Sequence, residues 1–118
     1  MIPGLELWKQ TSLKVMEQNN CNPRAAMQLV DWALQAGFAG SRIELSLGGI
    51  VYSGSQRKFW GETMSGRVAS DEIWRTRAQK TGVKEADFEA MRDGWIRFTE
   101  EPSSVFAMPC GQAICWKN

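Results

Sequence analysis

Only two stretches of this chain, Arg42–Tyr52 and Val105–Trp116, have the composition of β-strands, and the segments before and between them read as helix. Two strands do not make a stable sheet by themselves. The second stretch is apolar on both faces, which suits a strand buried in the middle of a sheet. The pattern therefore predicts a piece of a larger sheet, whose other strands are absent from the chain or come from a partner.

The 118 residues suit one domain, 1–118, with a core of modest size. Apolar residues make up 43% and charged residues 23%, the balance of an ordinary globular chain. The formal charge of +1 favours neither nucleic acid nor an anionic membrane surface. No apolar run reaches membrane-span length and the N-terminus lacks a signal-peptide pattern, so a cytoplasmic protein is expected. Cys21, Cys110 and Cys115 are odd in number and lack a CxxC spacing, which fits reduced thiols better than a disulfide framework or a zinc site. Histidine is absent, and with it the commonest general base and metal ligand.

Helices are predicted at Leu5–Gln18 and Pro23–Ala36, the second started by Asn22 as cap and stopped by Gly37. Three more are expected at Ser55–Val68, from a Ser70 cap to Gly82, and at Lys84–Thr99, where Phe88, Met91, Trp95 and Phe98 share one face. In the first strand Ile43, Leu45 and Leu47 alternate with polar neighbours, and Gly48–Gly49 suggests a bulge. Pro109, which has no N–H to give to a ladder, suggests a second bulge or bend.

Gly37 and Gly40 follow a helix and open a strand, the reverse of a dinucleotide loop, and no other segment reads as a strand–glycine–helix cradle. Six tryptophans imply a heavily aromatic core or an aromatic-lined cavity. Trp8, Tyr52, Phe59, Trp60, Trp74 and Trp95 are the candidates for contacting a flat, greasy small molecule, and core packing is the competing reading for each. Glu62 follows the Phe59–Trp60 pair and Arg75 follows Trp74, so these two are the candidate acid, base or anion clamp, against a plain solvated helix face.

A set of landmarks then recurs in order. It comprises Leu34-Gln-Ala-Gly-Phe38, Arg42-Ile-Glu-Leu45, Val51-Tyr-Ser-Gly-Ser-Gln-Arg-Lys-Phe-Trp-Gly61, Gly82-Val-Lys-Glu-Ala-Asp-Phe88, Trp95 and the closing Val105-to-Cys115 segment. From about residue 5 onward this order resembles the C-terminal part of a class I S-adenosylmethionine-dependent methyltransferase of the small-molecule, secondary-metabolism type. The resemblance implies an α+β fold of four to five helices with two antiparallel strands, about 42–52 and 104–116, as the sixth and seventh strands of a Rossmann-like sheet. It places Tyr52, Phe59, Trp60 and Trp95 in a substrate-side cap. The glycine-rich loop and acidic residue that bind the cofactor belong to a half this chain lacks. Where the family's last strand often reads His-Gly-Glu, Cys110-Gly111-Gln112 stands here.

The resemblance therefore implies no cofactor bound by this chain alone, and S-adenosylmethionine only if a partner supplies the missing half. Three functions are consistent with it. The chain shapes a pocket for a hydrophobic metabolite as a truncated methyltransferase; or it is a cofactor-independent cyclase, isomerase or dehydratase; or it is a dimerisation or interaction module. The expected partners are a small hydrophobic molecule, a second copy forming a homodimer, and a complementary methyltransferase half.

Overall fold

The computed structural model describes residues 2–117 as an α+β chain of five α-helices and two antiparallel strands. In order these are α1 (Pro3–Gln18), α2 (Leu29–Gln35), β1 (Ile43–Tyr52), α3 (Gln56–Ser70), α4 (Glu72–Gln79), α5 (Glu85–Glu100) and β2 (Phe106–Cys115), with short 3-10 turns at Ala25–Gln28 and Gly40–Arg42. They fall into two compact units. One combines Met1–Cys21 with Tyr52–Phe106, the other Asn22–Val51 with Ala107–Asn118.

The first unit is helical and holds nearly all the core. Val15, Met64, Val68, Ala78, Phe88, Met91, Trp95 and Phe98 are buried together. Phe88, Met91, Trp95 and Phe98 line one side of α5, the side the apolar spacing marks, and α1 and α3 both pack on α5. Close packing depends on small residues at the crossings. A Cβ on Gly94 would lie 3.0 Å from the Gly4 carbonyl carbon and the Leu5 nitrogen, and one on Gly4 would run into the Ala90 carbonyl. The carboxylate of Asp87 accepts from the Lys84 N–H at 2.7 Å, closing the first turn of α5.

Two helix starts differ from the sequence expectation. Asp71, not Ser70, caps α4, accepting from the Trp74 N–H at 3.0 Å, while the Ser70 hydroxyl turns back to donate to the Gly66 carbonyl. The carboxylate is the better acceptor for a helix start, and the hydroxyl is satisfied within α3. The predicted helix Pro23–Ala36 is shorter. Asn22 accepts from the Arg24 N–H at 2.9 Å, a local turn that competes with helix, so a 3-10 turn precedes α2. Its end follows expectation: Gly37 takes φ +98°, with Phe38 N–H bonded to Ala33 O and Gly37 N–H to Leu34 O.

The second unit is the strand pair with α2. Trp116 N–H donates to Arg42 O at 3.0 Å, and the Ser46 hydroxyl lies 3.5 Å from Gln112 Oε1. A Cβ on Gly49 would sit 4.0 Å from the Pro109 Cα. Arg42 thus faces Trp116, Ser46 faces Gln112 and Gly49 faces Pro109, in equal steps along both strands. The expected bulges at Gly48–Gly49 and Pro109 are therefore absent from this stretch. Pro109 is accommodated because its position is one whose amide points away from β1.

Alternation also fixes the two faces. Ser46, Gly48 and Gln112 share one, while Gly111 on the other meets Ala26 and Leu29. Among the described residues Ala33 is the one buried hydrophobic of this unit. Its surface carries Met27, Trp32, Leu34, Leu45, Leu47, Ile50, Val51, Met108, Ile114 and Trp116, all exposed. The sheet has two strands, and each has one neighbour.

Candidate functional site

Five aromatic residues of the helical unit converge. Tyr52 and Trp60 stack with ring centroids 4.3 Å apart and planes within 5°. Phe106 lies 5.0 Å from Trp60 and 6.0 Å from Trp95, and Trp8 meets Trp95 edge-on at 5.0 Å. Trp8, Trp60 and Trp95 come one each from α1, α3 and α5, with Tyr52 and Phe106 supplied by the end of β1 and the start of β2.

The rings pack on one another, with Trp95 buried and Trp8, Tyr52, Trp60 and Phe106 half-buried. Trp95 is 1% exposed, and the indole N–H groups of Trp60 and Trp95 are buried without a hydrogen-bond partner, as is the Ser12 hydroxyl. Aromatic contacts of this geometry each add about 0.5–1.5 kcal/mol beyond burial. Phe59 sits at the margin, 62% exposed and 6.3 Å from the Tyr52 ring. Phe106, which the sequence reading did not single out, joins both halves of the cluster; its place at the first residue of a strand gave no signal of that role.

Trp74 lies in a separate contact, edge-on to Phe88 at 5.9 Å. Arg75 is committed beside it. Its guanidinium lies 4.0 Å over the Phe88 ring, donates to the Val68 carbonyl at 2.7 Å, and grips both carboxylate oxygens of Glu85 at 2.9 and 2.7 Å. These bonds engage the guanidinium within the chain and fasten α4 to α3 and α5. Arg75→Ala is expected to cost about 1–2 kcal/mol, chiefly through the carbonyl bond and lost ring contact. Glu85→Gln is expected to change stability by about 0.5 kcal/mol or less, because that carboxylate is exposed. Urea denaturation of the two variants measures the difference, and equal losses would refute this division.

Glu62 is exposed on α3 and pairs with Lys58 at 3.9 Å. Glu62 and Arg75 thus have their own partners and do not meet each other. The depressions of the helical unit include one of about 330 Å³ lined by Ile2, Arg97, Glu101, Ser103 and Ser104. The second unit has one of about 240 Å³ lined by Ala36, Gly37, Phe38, Trp116 and Lys117. None of the predicted substrate-contacting residues lines either.

No family model, curated protein or solved structure matches this chain. Function therefore has to be argued from the geometry. Among the described residues no cluster of His, Cys, Asp and Glu could hold a metal ion, and no helix is long and apolar enough to cross a membrane. The three cysteines are free.

The strand–glycine–helix order does occur once, at Ser53-Gly54-Ser55 between β1 and α3, which the sequence reading passed over. It does not fit a nucleotide or S-adenosylmethionine cradle. It has one glycine, its carbonyls at Ser53 and Gly54 take the Gln56 and Arg57 N–H groups, and the Arg57 side chain donates to Gly54 O and Pro102 O. Those first amides of α3 are thereby occupied within the turn.

Proposed function

We propose that this chain is a sheet-completing interaction module, a truncated methyltransferase-like segment that becomes a working unit when its strands pair with those of another polypeptide, in the first instance a second copy. One observation carries this reading. The strand unit buries Ala33 as its one hydrophobic residue among the described residues and exposes apolar side chains on both strands of a two-stranded sheet. An isolated strand pair of this kind is marginal in water, and a contiguous exposed apolar surface marks an interaction site.

Supporting this reading over a preformed small-molecule pocket are the ring–ring contacts of the aromatic cluster and the linings of the two depressions described above, which include none of the substrate-contact candidates. A hydrophobic metabolite would then be held at a surface the partner helps to build, with exposed Phe59 the ring open to it. S-adenosylmethionine has no site on the chain alone in this reading, and its titration into the chain by calorimetry is expected to give no heat beyond dilution. Stoichiometric binding would remove that part of the proposal.

The test of the module itself is a concentration series followed by light scattering and by a dye that reports exposed apolar surface. The expected result is a mass above one chain at micromolar concentration, with dye fluorescence per chain falling as the mass rises. A monomer that keeps its circular dichroism and constant dye binding throughout the series would overturn it.

A further inference from the structure

The pairing phase of β1 and β2 determines which backbone groups are left over. Because Trp116 N–H bonds Arg42 O, the even-numbered residues of both strands spend their amides and carbonyls on each other. The odd-numbered residues point theirs outward. On β2 that outer edge is interrupted at its centre by Pro109, which has no N–H to offer, so continuous strand addition there is blocked. On β1 the outer edge runs through Ile43, Leu45, Leu47, Gly49 and Val51 without a proline or an odd-position charge. The Ile43 N–H is spent on the Gly40 carbonyl, closing the turn before the strand, and Leu45, Leu47, Gly49 and Val51 make no backbone bond outside the sheet among the described residues.

The same odd-numbered side chains lie on the face that carries Gly111. There α2 and the turn before it reach β2 but leave much of β1 bare, most of all at its middle, with Leu45 51%, Leu47 77% and Val51 56% exposed. The free edge and the bare apolar strip belong to one strand.

We propose that the outer edge of β1 is the homodimer site, with β1 of a second copy adding antiparallel about a two-fold axis at Leu47 to give a four-stranded sheet. This rests on the sheet-completing reading above and names its partner and edge. The sequence is self-complementary in this register. Leu47 faces its own copy, Ile43 faces Val51 as a β-branched pair, Leu45 faces Gly49, and Ser46 faces Gly48. The one charge within the strand, Glu44, faces Ile50 and not another Glu44. The outward amides of Leu45, Leu47, Gly49 and Val51 each find a carbonyl, and the Leu47 side chains close over the axis.

Backbone amide hydrogen exchange on the unaltered chain, at low and high protein concentration, tests this directly. The outward amides of Leu45, Leu47 and Gly49 are expected to slow at least about tenfold at high concentration, while those of Ala107, Gly111 and Ala113 do not change. A second measurement uses Leu47→Cys and Ala113→Cys in a background lacking the native cysteines. Opposed residues across a strand pair lie about 5.5 Å apart at Cα, within disulfide reach. The Leu47→Cys chain should cross-link to a dimer under mild oxidation and the Ala113→Cys chain should not. Concentration-dependent protection on β2 in place of β1 would overturn the edge assignment and leave sheet completion standing. Association with no change in any outward amide would overturn both, as would a chain that stays monomeric at the high concentration with constant dye binding.

Discussion

Trp95→Ala is expected to remove about 3–5 kcal/mol of stability, a large share of the roughly 5–15 kcal/mol by which a domain stays folded. Trp95 is 1% exposed on α5, touches Trp8, Phe98 and Phe106, and lies within the only large buried cluster among the described residues. Truncation leaves a cavity walled by aromatic rings that cannot collapse into it without leaving their own contacts. Urea denaturation followed by far-ultraviolet circular dichroism gives the loss independently of the missing fluorophore. Phe59→Ala is the control. At 62% exposure it is expected to change stability by about 0.5 kcal/mol or less. Similar losses for the two would mean that the aromatic set is not a core, and that Trp95 deserves to be reconsidered as part of a ligand surface.

The second large effect is expected at a residue with no side chain. Gly94 is where α5 meets α1, and a Cβ there would lie 3.0 Å from backbone atoms of Gly4 and Leu5. Backbone cannot swing aside as a side-chain tip can, so Gly94→Val should separate the helices and cost about 1–3 kcal/mol. Gly66→Ala makes the opposite case. A Cβ there meets nothing within 4 Å, and Gly66 lies inside α3, so alanine should stabilise by about 0.5–1 kcal/mol through helix propensity alone. Melting temperatures of the two variants should therefore move in opposite directions. A stabilised Gly94→Val chain would show that α1 and α5 do not meet at this point.

Much of the architecture is legible because it is written in local chemistry. The face of α5 follows from the spacing of Phe88, Met91, Trp95 and Phe98, and the end of α2 from Gly37. Starts of elements are harder. At Ser70-Asp71 two good caps stand side by side, and the choice is made by where each side chain's bond goes. At Asn22 a turn and a helix compete for the same side chain.

The division into two units is not legible at all, since each is assembled from separated stretches of chain and no linker composition marks the boundary. The aromatic residues Trp8, Tyr52, Trp60 and Trp95 gather around Phe106, a contact that no spacing in the sequence marks because the five lie on five different elements. The partners of Arg75, on α3 and α5, were likewise invisible in one dimension.

Ser46 and Gln112, side by side on the sheet, are 66 residues apart in the chain, with α3, α4 and α5 between them. During synthesis β1 thus emerges long before β2 and waits while α3, α4 and α5 are made. Closing so long a loop is entropically slow compared with forming the helices. Throughout that interval β1 is a naked, apolar, ten-residue strand with both of its edges unpaired, so the period of greatest aggregation risk for this protein falls before it is fully made.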